Sequence, residues 1–390
     1  MTMKLTRRAA LAAAPAIALS SPARAQSAPL KIGMVTTLSG PGGYLGQDVR
    51  DAFTLAIEND MLGGTKVQLI VEDDGLKPAQ AKQTIARMLK SDGIKLFTGI
   101  IFSNVAEAVV PDVLEEGAFY ISPNAGPSGL TGKGCNRNYF VVSWQNDNMS
   151  ESAAAYANKL GFKRMYLLAP NYQAGKDSIT GFRRVFTGEV AGETYTRLDQ
   201  TDYAPEMAQI RAANPDAVFQ FHPGGLGIAF IRQYQQAGLS GKIPMVVSFP
   251  SLDSTTLAAV GDAAIGISLA AHWNADFDNA ANKAFVAAFT ARFNRLPTFY
   301  AAQGYDTALL IASALKQAGG PANADAFRKA LLAANFASVR GKFSFGASQH
   351  PVQDWYGVKP ERGADGKLTL RKQDRVLADQ GDFYAPQCHI

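Results

Sequence analysis

Residues 94–121 read IKLFTGIIFSNVAEAVVPDVLEEGAFYI. An apolar run from Ile94 to Phe102 stops at Ser103-Asn104, with Ile94–Ile101 read as a strand. A helical pattern then covers Val105–Glu116, and Ala118–Ile121 is a second apolar run. Strand, helix and strand in that order predict a parallel crossover unit.

The same alternation extends to both sides. Upstream, Lys31–Thr36 and Val67–Val71 read as strands. Gly46–Met61 reads as a helix, with Val49, Phe53, Ala56 and Ile57 on one face, and Pro78–Leu89 as another. Downstream the pattern restarts. Strands are expected at Arg164–Ala169, Glu193–Leu198, Asp216–Phe221 and Met245–Phe249, and helices at Ser178–Phe186, Pro205–Ala213 and Leu226–Ala237. A third section carries long helices, Lys283–Phe293 and Ala301–Ala318, and a β-rich tail with a turn signal at Gly363-Ala364-Asp365-Gly366. No low-complexity linker divides the chain. The expected fold is therefore α/β, with two doubly wound, Rossmann-like lobes joined by several crossovers. One lobe takes residues 28–144 and 273–350, the other 145–272 and 351–390.

The chain has 390 residues, 47% of them hydrophobic, enough for two cores. Its formal net charge of +5 is modest, and no basic stripe with interleaved aromatics points to nucleic acid. Residues 1–25 read as a signal peptide. Lys4, Arg7 and Arg8 precede the short apolar run Ala9–Ser20, and Ala23-Arg24-Ala25 fits a small-x-small cleavage site. Thr6-Arg7-Arg8 followed by Leu11 has the look of a twin-arginine export signal; an ordinary secretory signal is the alternative. Exported cysteines meet an oxidising space, so the even pair Cys135 and Cys388 is expected to form a disulfide, with two free thiols as the alternative.

In open parallel sheets, ligands bind beyond the carboxyl ends of the strands. The residues expected there lie in Ser39–Gly46 (including Tyr44 and Leu45), Ser103-Asn104, Ser122–Ser128 (including Asn124 and Gly126), Asn171-Tyr172, His222–Gly225 (including Pro223) and Ser248-Phe249. No G-x-S-x-G, H-E-x-x-H or phosphate-binding loop is present, and none of the four histidines has a catalytic setting. No enzyme, cofactor or metal is expected. Asp73-Asp74 reads as a strand-end turn with an Asp capping the next helix.

LKIGMVTTLSGPGGYLGQDVRDAFTLAIEND, VQLIVEDDGLKPAQA and GIIFSNVAEAVVPDVLEEGAFYISPNAG form an ordered series. It resembles the type I periplasmic solute-binding proteins of ABC importers, specifically the branched-chain amino acid (Leu/Ile/Val) binding group. The aromatic-acid-binding branch is the narrower expectation. The resemblance implies a hinged two-lobe receptor, usually monomeric, that hands a small molecule to a membrane permease with its ATPase. It also implies that Ser103 holds a ligand carboxylate with groups of the loop after Ile121-Ser122-Pro123, where Gly126 replaces a hydroxyl residue and Ser128 or a backbone N–H takes over. A capping serine alone is the simpler reading of Ser103.

Amino-acid binders of the group pair the ligand ammonium with a Glu at the end of the strand that is here Met245–Phe249. No acid stands there, and Asp253 is the nearest. A buried ammonium without a partner is costly. The expected ligand is therefore a carboxylate without an amine, of benzoate or hydroxycinnamate type. Tyr44, Phe102, Trp144, Tyr172 and Phe249 would line a slot for its ring, and His222 would bond a second polar group. A branched-chain amino acid or amide is the alternative ligand. A ligand-sensing domain for a signalling partner is the alternative from another class.

Overall fold

The computed structural model describes residues 28–58 and 61–390. The expected signal peptide lies outside them. Two twisted sheets form the centres of two lobes.

The first sheet contains β1 (Leu30–Thr36), β2 (Met61–Leu62), β3 (Thr65–Asp73), β4 (Leu96–Thr98), β5 (Phe119–Ser122) and β6 (Tyr139–Val141), in the order β2-β3-β1-β4-β5-β6. All its neighbours are parallel except β2 with β3. Helices α1 (Gly43–Leu55), α2 (Pro78–Lys90) and α3 (Ser103–Glu115) are the crossovers. Residues 32–36 of β1 are all buried, as a strand covered on both faces requires.

The second sheet contains β7 (Arg164–Pro170), β8 (Glu189–Thr196), β9 (Ala217–Gln220), β10 (Met245–Ser248), β11 (Ser268–Ala271), β12 (Ser344–Phe345), β13 (Pro351–Arg362) and β14 (Leu368–Gln380). Its order is β12-β13-β11-β10-β9-β7-β8, with β14 paired to β13. Helices α4 (Asn146–Leu160), α5 (Gln173–Val185), α6 (Ala204–Ala213), α7 (Gly225–Gln236) and α8 (Ser254–Val260) belong with it. The tail hairpin β13–β14 turns at the predicted Gly363–Gly366, where Gly363 N–H meets Lys367 O at 2.9 Å.

The late helices α9 (Ala280–Phe293), α10 (Phe299–Ala318) and α11 (Ala324–Ala333) return to the first lobe. At Gly304 of α10 a Cβ would lie 2.4 Å from Val49 O of α1, so only glycine allows that approach. Phe327 of α11 packs edge-on against Phe119 of β5 at 5.1 Å. The chain thus crosses between the lobes around residues 142–145, 272–275 and 344–351. Buried Arg340 ties the first of these crossings to the chain just beyond the third. Its Nη1 donates to Val142 O and to Gln353 Oε1, both at 2.8 Å, and its Nε to Asp306 at 3.1 Å. Among the described residues, no helix is long and apolar enough to cross a membrane.

Several boundaries differ from the sequence reading. Only Leu96–Thr98 of the run Ile94–Ile101 pairs in the sheet, because Gly99 turns the backbone out at φ 113°. The first helix ends at Leu55, not Met61, and α5 starts at Gln173, not Ser178. The strand expected at Glu193–Leu198 is Glu189–Thr196. Asp73 and Asp74 cap no helix, since Lys77 holds the cap position of α2. They brace the turn instead: Asp73 accepts Leu38 N–H and Gly75 N–H, and Asp74 accepts Thr37 O–H and Leu76 N–H.

The disulfide Cys135–Cys388 is formed, with a Cα separation of 5.7 Å. It fastens the tail beyond β14 to the loop before β6. Tyr384 of that tail donates to Asp147 of α4 at 2.9 Å, and Arg184 of α5 stacks on Phe383, 3.7 Å from its centroid.

Candidate functional site

Strand ends of both sheets face each other across a closed cleft. Phe102 leaves β4 in extended conformation (φ −96°, ψ 133°), and α3 begins at Ser103. Ser103 is therefore the first helical residue and not the cap, and its hydroxyl caps nothing. The N–H groups of Val105 and Ala106 both reach Phe102 O, whereas those of Ser103 and Asn104 have no carbonyl below them, as at any helix start. Ser103 Oγ accepts Asn146 Nδ2–H at 3.0 Å, so its own hydrogen remains to be donated.

A small cavity of about 20 Å³, room for a water or two, sits above this helix end. Six of the expected residues line it: Phe102, Ser103, Asn124, Trp144, Tyr172 and Pro223. Ile101, Ala174 of α5, Asn146 and Met149 at the start of α4, Phe221 after β9, Pro250 and Tyr300 of α10 complete the wall. Tyr172 stacks on Phe221, with centroids 6.2 Å apart and planes 16° apart. It also meets Phe102 of the other lobe at 6.2 Å. Trp144 Nε1 is buried without a protein acceptor. Asn124 donates to Ile101 O at 2.7 Å, while its own carbonyl oxygen has no partner. No charged side chain lines the cavity.

The remaining expected residues lie elsewhere. Tyr44 bridges the lobes outside the cavity, its O–H on Asp253 Oδ2 at 2.9 Å, with Thr256 Oγ1 at 3.2 Å. Asp253, the N-cap of α8, is pushed up to about 6, by burial above all, with bonds from Thr256 and Tyr44 opposing. Leu45 is packed into the core, and Asn104, whose buried side-chain oxygen has no partner, does not line the cavity. Gly126 donates to Asn146 Oδ1 at 3.2 Å, and a Cβ there would lie 2.1 Å from Trp144 O. No side-chain hydroxyl fits at that position.

His222 is enclosed in the second lobe. Gln220 Oε1 at 2.9 Å takes its Nδ1 hydrogen, which leaves Nε2 to accept from Thr196 Oγ1 at 3.0 Å. Burial pulls its pKa down to about 3, so it is neutral. Ser248 Oγ meets Ser150 Oγ at 2.8 Å inside the same lobe. Phe249 lies one layer behind the wall, edge-on to Trp144 at 5.0 Å.

Ser128 does not face the cavity. Its N–H and O–H both go to Asp177 of α5, at 3.1 and 2.7 Å. Asn146 Nδ2 and Gln173 Nε2 supply two further donors, at 2.9 and 2.8 Å. Four donors fill the acceptor capacity of one carboxylate. Asp177, unnoticed in the sequence, thus stands near Ser103 but is fully engaged. Glu107 of α3 is pushed up to about 7, by burial first and then by the charge of Asp177, with Lys176 opposing.

A family model described as "Periplasmic binding protein" matches residues 29–367. The Leu/Ile/Val-binding protein homolog 6 of Brucella melitensis is 26% identical over 367 residues, spanning 90% of this chain and 93% of that one. A solute-binding protein of an ABC transporter from R. palustris, solved with benzoate, is 30% identical with a TM-score of 0.87, over 93% of this chain and 100% of the other. A second from R. palustris, solved with 4-hydroxybenzoate, is 26% identical with a TM-score of 0.83, over 91% and 99%.

Proposed function

Because the chain belongs to the periplasmic binding protein family and is a non-enzymatic solute-binding receptor of ABC-transporter type, we propose that its ligand is an aromatic carboxylate of the benzoate or hydroxycinnamate kind. One observation carries the reading. The cavity offers donors and aromatic walls, and nothing free to neutralise an ammonium. Ser103 O–H and the first amides of α3 are donors at the positive end of a helix dipole, and Trp144 on the same wall has an N–H without a protein acceptor, a set suited to an anion. Phe102, Tyr172, Phe221 and Tyr300 suit a ring. Asp177 is saturated, and Asp253 is held by Tyr44 and Thr256. The relatives solved with benzoate and 4-hydroxybenzoate support the same ligand class.

In this reading the ligand docks on Ser103 and the end of α3 in an opened cleft, and the lobes then rotate together about the three crossings. Ser128–Asp177, Tyr44–Asp253 and Gly225 N–H on Pro41 O (3.3 Å) close behind it. In a cavity of about 20 Å³ a ring is accommodated only if the lobes or these aromatic side chains shift outward. Export through residues 1–25, by the twin-arginine route, and delivery from the periplasm to a membrane permease with its ATPase belong to the same proposal.

The name of the Brucella relative favours a second reading, a branched-chain amino acid. Calorimetric titration with benzoate, 4-hydroxybenzoate, 4-hydroxycinnamate, leucine and valine separates the two. Saturable heat with one or more aromatic acids and none with leucine or valine is expected; a response to leucine or valine alone overturns the proposal.

A further inference from the structure

A second cavity, of about 400 Å³, lies beside the middle crossing. Its walls are Leu257 and Ala258 of α8, Leu269 of β11, Leu296 just before α10, and Leu368 and Leu370 at the start of β14. Small-molecule sites typically enclose ~300–1,000 Å³ and are mostly apolar with a few polar groups. This cavity has that size and lining.

Its rim carries both signs, but the acids and the cations differ in what already holds them. The acids on the wall are engaged within the protein: Asp253 with Tyr44 and Thr256, and Asp276 with Asn274 Nδ2 at 2.6 Å and Lys372 N–H at 3.0 Å. Arg371, exposed on β14, has no acid paired with it among the described residues, and Lys367 next to the hairpin turn is 3.8 Å from Asp365. Arg371 is thus the lining cation without an acid partner among the described residues, and it is free to pair with an occupant.

We propose that this cavity is a second binding site, for an amphipathic monoanion whose apolar body lies between α8 and β14 and whose acidic group meets Arg371. The proposal does not rest on the ligand assigned to the cleft. The site is nevertheless coupled to it. Phe249 and Phe299 line this cavity and meet each other at 4.4 Å, and Phe249 meets the cleft residue Trp144 at 5.0 Å. Asp253 on the same wall holds Tyr44 across the cleft. Because α8 belongs to one lobe and α10 to the other, an occupant touches both and favours their closed arrangement.

Fluorescence titration of the purified full chain with 8-anilino-1-naphthalenesulfonate, an amphipathic monoanion, tests the site. Ala258 is exposed, so Ala258→Trp fills the cavity from its rim without disturbing the core. A saturable signal is expected, weakened at least about tenfold in Ala258→Trp and about threefold in Arg371→Ala, and unchanged in Ser103→Ala. Displacement by 2-naphthoate and not by 2-naphthamide is expected as well. An absent or non-saturating signal, equal titrations for wild type and Ala258→Trp, or weakening in Ser103→Ala alone overturns the proposal. The last outcome would put the probe in the cleft.

Discussion

Asp177 on α5 receives both the N–H and the O–H of Ser128 from the facing lobe. This two-pronged grip exists only while the cleft is shut. Removing the hydroxyl in Ser128→Ala deletes a bond to a charged group, worth about 1.5–3 kcal/mol. The expected result is a ligand Kd raised roughly ten- to a hundredfold and a larger radius of gyration by solution scattering at subsaturating ligand. An unaltered Kd and radius would show that the grip does not favour closure.

Closure is also expected to take up protons. In the shut cleft Glu107 is pushed up to about 7, by burial and the neighbouring Asp177 charge against Lys176. Asp253 is pushed up to about 6, and Asp177 is raised too, in both cases chiefly by burial. Opening re-exposes these carboxyls and returns them toward ordinary values of roughly 4. A raised acid pKa in the closed state means that closure is most favourable at low pH and loses strength as pH rises to about 7, then levels off. Ligand affinity measured from about pH 5 to 8, where an aromatic acid is itself ionised, should therefore fall with pH and then flatten. Glu107→Gln should remove the upper part of the slope. His222, neutral and enclosed in one lobe, does not contribute in this range. Affinity that increases with pH contradicts the linkage.

Trp144 Nε1 is a buried donor with no protein acceptor. Trp144→Phe should weaken an aromatic acid by about 1.5–3 kcal/mol, the worth of a bond to a charged group. Ser103→Ala should cost about 1–3 kcal/mol for the same reason. If both variants bind as wild type does, the anion is held elsewhere.

The bridge between Cys135 and Cys388 closes a loop with a sequence separation of 253. Cys388→Ser should lower unfolding stability by about 2–5 kcal/mol, read by urea denaturation. A stability equal to that of wild type would mean that Arg184 and Tyr384 hold the tail unaided.

The alternation of apolar runs and helical faces made both lobes legible, because parallel strands buried on two faces leave continuous Val, Ile and Leu. Helix α4 left no such trace. Its sequence NDNMSESAAAYANKL is polar at its start, yet Asp147, Asn148 and Glu151 are buried there. Asp147 pairs with Arg184 at 2.8 Å, and Asn148 donates to Gly381 O at 3.0 Å. Partners so distant in sequence give no periodic signal, and with α4 went Asn146, the residue linking Ser103 to Asp177. Tyr300 was hidden for a related reason: it reaches the cleft only because α10 folds back onto α1. At strand ends the sequence located residues correctly along the chain but not their direction. Ser248 ends β10 and His222 follows β9, yet both turn into the lobe interior, where Ser150, Gln220 and Thr196 satisfy them.

The fastened tail gives the two halves a fourth connection. Asp382 on it accepts from Ser348 at 2.6 Å and from Thr131, so the staple sits beside the third crossing, close to the axis of rotation. In the proposed rotation points near the crossings travel little, so the staple is expected to leave opening free. What it would resist is sideways sliding and twisting, confining the proposed swing to one path, like a door on a long hinge.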